Sequence, residues 1–472
     1  MNKKMELKMK KTVLLLMIIL INLGIYSDEI VDKKELTLDV DTAVSLALAN
    51  NLGLKADKMQ FESKKWSMFT SWNTFVPTVN MSATALQYNQ EVLKTRSDTI
   101  KEAYEDNGYK LSDSEVYDTD EWDDVTKRSL IAKLNVSFNF HASMVFQVYQ
   151  TVLDWQSGKL SLEIAKKQIE LNVKKTLYNL ILTEKNIVVT EESINNAEKR
   201  YNQAVINYRN GLISEYDMLS AEVAYKNMIP GLIEMKNGYE ASLLSFKQMI
   251  GIKKDVVLTF AAKIESEKKK FDANEIINRY IYKNLDLSVL DYSVKNAINA
   301  KNISISQLTP SFSFGYTADP TYNNYPLNGS WFEDMDEWKQ QTGAFTLSFS
   351  IPVSSFVPFS KEQMDIARGQ FSINAAKFKY DDLKQKKELE IEKTIMGLDK
   401  SKESLEVLKL NVALAERAFN KAEEAYRLGT KELLDVQNSE LELNNAKLNL
   451  LKEEYNYTTG LLDLEYLINT KL

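Results

Sequence analysis

Residues 208–217 read Tyr208-Arg209-Asn210-Gly211-Leu212-Ile213-Ser214-Glu215-Tyr216-Asp217. Residues 426–436 read Tyr426-Arg427-Leu428-Gly429-Thr430-Lys431-Glu432-Leu433-Leu434-Asp435-Val436. The two stretches align at an offset of 218 residues, and the same offset pairs Ala204 with Ala422, Glu222 with Glu440, Asn227 with Asn445 and Tyr239 with Tyr457. Upstream, Asn51-Leu52 matches Asn284-Leu285 and Pro77 matches Pro310 at an offset of 233, while Ser137-Phe138 matches Ser348-Phe349 at 211. The chain is therefore one half written twice. The step from 211 to 218 is one heptad. An indel of that size inside the following helix would preserve its phase, as a coiled-coil wall requires.

Each half reads in the same order. A short helix (about 39–51; about 272–284) precedes a second helix (about 52–75; about 285–308) that ends at Pro77 or Pro310. A strand, a polar loop and a second strand follow. A very long helix (about 144–209; about 359–427) then turns at Gly211 or Gly429 and returns as another (about 214–250; about 431–468). With 15 Gly and 7 Pro in 472 residues, the chain has too few breaks for a sandwich of many short strands. Pro230 is a break inside a predicted long helix, so a kink or broken turn is expected there, without a counterpart at Leu448-Asn449.

The first 27 residues carry a secretory pattern: Lys3, Lys4, Lys8, Lys10 and Lys11, an apolar run from Val13 to Ile21, and Ile25-Tyr26-Ser27 as a cleavage site. The expected organisation is a signal peptide at 1–27, a first repeat at 28–251, a linker at 252–271 and a second repeat at 272–472. Net charge is −7, a poor match for a phosphate backbone, so no nucleic-acid partner is expected. The absence of Cys excludes a disulfide scaffold and thiol chemistry, and the single His, His141, excludes His-pair metal sites. No catalytic residue, metal or cofactor is expected, and the chain is read as not being an enzyme.

The strands alternate. Leu130, Ala132, Leu134, Val136, Phe138 and Phe140 interleave with Ile131, Lys133, Asn135, Ser137, Asn139 and His141. Phe345, Leu347, Phe349 and Ile351 interleave with Thr346, Ser348 and Ser350, and the segments from Thr78 and Ser311 do likewise. A soluble antiparallel sheet with one face on a core gives this pattern, and so does a transmembrane barrel. The export signal and an acidic segment at 91–124, with twelve Asp/Glu against four Lys/Arg, favour the barrel. Four strands cannot close one, and open edges are not tolerated in lipid, so a membrane-spanning chain must oligomerise. In the last helix, Leu434, Leu441, Leu448, Tyr455 and Leu462 form one heptad stripe, and Val436, Leu443, Leu450, Tyr457 and Leu464 form another. At 100° per residue the stripes lie about 200° apart, as on a stave packed on both flanks.

The ordered halves, the Pro-strand entries, the repeat start at Leu36-Thr37-Leu38 with Leu46-Ala47-Leu48-Ala49-Asn50-Asn51-Leu52, and the two tips resemble the TolC-type outer-membrane efflux proteins over essentially the whole mature chain. The resemblance implies a mainly α fold with membrane β. A homotrimer would form a twelve-helix α-barrel tunnel in the periplasm, continued by a twelve-stranded β-barrel in outer-membrane lipid. It implies a passive exit duct, fed by an inner-membrane transporter through a periplasmic adaptor. By the same resemblance, Gly211, Leu212, Gly429 and Thr430 would meet the adaptor. Asp435 and Asn438 would ring the periplasmic constriction, with Asn438 standing where some members carry a second acid. Asp217, Tyr216, Tyr426 and Lys431 would form a closed-state latch, with Lys431 in place of an Arg and so unable to make a bidentate carboxylate pair. A soluble periplasmic coiled-coil adaptor or a surface structural protein would share the signal, the acidity and the long helices, but not four amphipathic strands with matching loops.

Overall fold

A computed structural model describes residues 35–87, 102, 105–106, 128–261, 270–323, 338–339, 343–428 and 430–471. The expected signal peptide, nearly all of the acidic segment 91–124, and Gly429 lie outside the described residues.

The duplication is exact in the helices. Helix α3 (Ser143–Arg209) and helix α7 (Lys361–Arg427) are each 67 residues long, and their return partners α4 (Glu215–Ile250) and α8 (Leu433–Ile468) are each 36. All four helices start and end at the offset of 218. The heptad indel expected inside the long helix is therefore not there. It lies just before the helix: residues 141–142 link strand β3 (Arg128–Phe140) to α3, whereas residues 351–360, with a 3-10 turn at Val353–Phe356, link strand β8 (Gly343–Ser350) to α7. Insertion outside the helix leaves helix phase untouched, whatever its length.

The short link of the first half has its own solution. The His141 Nδ1 accepts from the Ser143 backbone N–H at 3.2 Å and lies 2.8 Å from the Ser143 hydroxyl, so the imidazole satisfies a donor at the helix start. The second helix of the first half is shorter than expected. Helix α2 (Leu52–Phe69) gives way to a 3-10 turn at Ser71–Phe75. There the Thr70 and Ser71 hydroxyls donate to the Trp66 and Met68 carbonyls at 2.8 and 2.6 Å, competing with the helix ladder. Helix α4 runs unbroken through Pro230, so no broken turn forms there.

The chain divides into two compact units, one of Met1–Ala56, Ala165–Ile277 and Glu390–Leu472, the other of Asp57–Ile164 and Asn278–Leu389. In the first, strand β1 (Glu35–Leu38) pairs in parallel with β4 (Val257–Phe260), inside the expected linker. Leu38 and Leu258 of this pair bury against Ala43 and Ala47 of helix α1 (Val40–Asn50), Leu177 and Leu180 of α3, and Phe246 and Ile250 of α4. Gly251 ends α4 at φ +70°, and a Cβ there would stand 2.5 Å from the Asn50 Cβ. Asn469, its counterpart 218 residues on, ends α8 in the same left-handed conformation at φ +52°.

The second unit holds helix α6 (Leu285–Ser306) and the remaining strands, and helix α5 (Ala273–Tyr280) lies largely in the first. Strand β2 (Thr78–Gln87) pairs antiparallel with β3, β3 with β5 (Ser311–Ala318), and β5 with β8. Strands β6 (Thr321–Asn323) and β7 (Trp338–Lys339) extend the far end of the sheet alongside β3. Cross-strand aromatic pairs cement the second hairpin, with Phe312–Phe349 centroids 5.0 Å apart and Tyr316–Phe345 4.6 Å apart. Every residue of β8 is exposed, and β2 is exposed almost throughout. A soluble sheet would lay one face on a core, and here neither face of β8 is covered by the described residues.

Candidate functional site

The two helical tips carry the residues singled out in the sequence. At the first, α3 closes on Gly211 at φ +73°, and the Leu212 N–H donates to the Asn207 carbonyl at 2.9 Å. This is a left-handed helix end of the kind glycine permits. At the second tip the Thr430 N–H donates to the Ala425 carbonyl at 2.9 Å, the same closing bond 218 residues on. Leu212 projects into solvent, 71% exposed.

The return helices start differently, and the difference falls on the predicted acids. Ser214 and Asp217 form a capping box: the Asp217 N–H donates to the Ser214 Oγ at 3.2 Å, and the Ser214 N–H donates to the Asp217 Oδ2 at 3.2 Å. Glu432 stands where Ser214 stands in the first half and makes no side-chain cap. Asp435, the counterpart of Asp217, is thus left out of a capping box. It instead faces Lys431 at 3.9 Å, one turn back on a half-exposed surface. Such a pair contributes little to stability. Asn438 lies one turn further along α8 and is exposed. The Lys431–Asp217 link does not form within the single chain, where each partner is otherwise engaged.

Tyr426 is the predicted latch residue that the fold draws inward. It packs beside Phe419, Ala422, Val436 and Leu443. Burial pushes its phenol up, and the Asp217 carboxylate adds to that against an opposing pull from Arg200. The hydroxyl is a neutral donor at physiological pH, close enough to Asp217 to feel its charge. Tyr216 projects outward, 79% exposed.

Sequence reading missed the strongest polar feature of this region. Arg200 on α3 and Glu440 on α8 form a buried ion pair. It borders a cavity of about 300 Å³ whose walls include Ala197, Ala221, Met228 and Leu441. Nearby, the Asn444 Nδ2 donates to the Ser193 Oγ at 2.8 Å, and Lys175 pairs with Asp463 at 2.5 Å. These contacts join residues more than 200 positions apart, so no local spacing announces them. Of the two stripes on α8, Val436, Leu443, Tyr457 and Leu464 are buried, whereas Leu434 and Leu441 of the other are exposed at the tip end. The two flanks are therefore unequally covered in the single chain.

Residues 276–470 match the family described as outer membrane efflux protein. The TolC-type resemblance stands. Outer membrane protein TolC of Salmonella enteritidis is 20% identical over 270 residues, 55% of this chain and 52% of that protein, so the match spans about half the length of that relative. The CmeC outer membrane channel of Campylobacter jejuni superposes with a TM-score of 0.72 at 16% identity, over 91% of this chain and 85% of that one. CusC superposes with a TM-score of 0.73 at 14% identity, over 95% and 96%. The chain has the TolC-type fold, mainly helical with one antiparallel sheet.

Proposed function

We propose that three copies of this chain form an outer-membrane exit duct, with a twelve-stranded barrel in lipid and a twelve-helix tunnel in the periplasm. The observation that carries this reading is the sheet built on the four long strands β2, β3, β5 and β8. Among the described residues β2 pairs only with β3, and β8 pairs, over its whole length, only with β5. A sheet with apolar side chains on an uncovered face and two open edges can neither stay in water nor sit alone in lipid. Joining it edge to edge with further copies removes both problems.

In this reading the duct is passive and no bond is made or broken. An inner-membrane transporter supplies small molecules or proteins through a periplasmic adaptor, and the adaptor docks on Gly211, Leu212, Gly429 and Thr430. Three Asp435 carboxylates, each followed by Asn438, ring the narrow end and attract cations. Tyr426, Asp217, Tyr216 and Lys431 hold neighbouring hairpins closed. The freedom of Asp435 from any capping role supports the ring, since among the described residues its charge is offset by a half-exposed Lys431.

The test is membrane fractionation followed by native mass measurement of the detergent-extracted protein. The expected result is detergent-dependent release from the outer membrane and a mass of three mature chains. Release as a soluble monomer would contradict the reading.

A further inference from the structure

The extra residues before α7 do more than lengthen a link. The turn at Val353–Phe356 and the residues after it are pinned from inside: Ser355 is 2% exposed, and its carbonyl accepts from the Ser360 hydroxyl at 3.0 Å and the Gln363 side-chain amide at 3.3 Å. The same pinned turn faces its large apolar side chains outward. Val353, Phe356 and Val357 are more than half exposed and Phe359 is 90% exposed. Phe359 adopts φ +63°, a left-handed conformation that a bulky side chain rarely takes. Among the described residues these apolar side chains are left largely uncovered.

Three observations say what would cover them. First, the turn continues β8, whose side chains Phe345, Leu347 and Phe349 are exposed without a break into Ile351. Second, residues 340–360 contain no charged side chain, in a chain that is 26% charged, and Lys361 follows directly after them. A cation at the rim of an apolar, aromatic stretch suits the phospholipid headgroup level. Third, the register Thr78↔Ser137 and Ser311↔Ser350 puts the start of β2 and the end of β8 at the same end of the sheet. The 3-10 turn just before β2 there exposes Trp72. The first repeat has only residues 141–142 at the matching link and no room for such a turn.

We propose that residues 353–359 are a membrane-surface anchor, which lodges Val353, Phe356, Val357 and Phe359 in the interfacial zone of the bilayer leaflet at the helical end of the sheet. This rests on the outer-membrane reading above. The anchor holds the sheet at a fixed depth, once per chain.

The chain has no cysteine, so single-cysteine spin labels report without background. The full-length variants Phe359→Cys, Phe356→Cys, Leu347→Cys and Lys421→Cys are reconstituted in phosphatidylethanolamine–phosphatidylglycerol vesicles. Collision of each label with oxygen and with a water-soluble nickel chelate is then measured. All four positions are exposed, so the substitutions leave the fold intact. The expected result is severalfold lower chelate access and higher oxygen access at 359 and 356 than at 421, at a depth shallower than 347. Chelate access at 359 equal to that at 421, with 347 in lipid, would overturn the anchor and leave the duct reading standing. Shielding of 359 from both reagents would show that a second copy covers it, and would also overturn the anchor. Full chelate access at 347 would remove the outer-membrane reading and the anchor with it.

Discussion

Arg200 on α3 is largely buried against the buried Glu440 on α8, 240 positions later, and among the described residues the second carboxylate oxygen of Glu440 has no hydrogen-bond partner. A buried pair broken on one side leaves an uncompensated charge, which costs about 3–5 kcal/mol, whereas replacing both partners with apolar residues is neutral or stabilising. Arg200→Ala should therefore lower the unfolding midpoint sharply. Arg200→Met combined with Glu440→Met should recover most or all of the loss. Urea unfolding followed by helical circular dichroism checks both, and equal damage from the single and double variants would contradict the account.

The two left-handed helix ends make a matched pair of experiments. Gly251→Ala forces a Cβ to within 2.5 Å of Asn50 at a φ of +70°. It should destabilise by more than the roughly 1 kcal/mol that a left-handed conformation costs a side chain in open space. Asn469→Gly meets no such neighbour problem and relieves a φ of +52°, so thermal melting should show no loss or a slight gain.

Much of this was legible beforehand. The tips Tyr208–Asp217 and Tyr426–Val436 fixed the offset that all four long helices obey, because helix ends are set by local chemistry: a left-handed residue, a cap, a turn. The strand alternation likewise lay open, since a period of two shows in any stretch as long as β3. What escaped reading was non-local or too short. The β1–β4 pair is two four-residue strands more than 200 positions apart, below the length at which a period can be seen. Arg200–Glu440 depends on two helices that only the complete fold brings together. The heptad indel was visible as a number, but its place was not, because sequence matches on either side of an indel do not say where between them it falls.

The tips should also separate in capping energy. Ser214 completes a capping box and Glu432 caps nothing. Ser214→Ala should cost about 1 kcal/mol and Glu432→Ala a few tenths at most. Unfolding midpoints of the two variants in parallel decide this, and equal shifts would contradict the asymmetry.

At Tyr239 on α4, burial pushes the phenol up to about 12, with Glu184 and Glu240 adding to it. A raised value means the fold holds the proton more tightly than the unfolded chain. That contribution is complete below pH 10 and is lost as the pH rises from about 10 through about 12. Tyr239→Phe should flatten the loss of stability across that window and leave pH 7 to 9 unchanged, as read from melting temperature against pH.

The duct itself is tested most directly by single-channel recording of the purified full-length chain in planar lipid bilayers. The account predicts insertion as trimers and current steps of one uniform size. It further predicts that Lys431→Ala raises the conductance and that Asp435→Asn weakens the preference for cations. Trimers that enter the bilayer, shown by co-flotation with lipid, yet pass no current in any of these forms would contradict it.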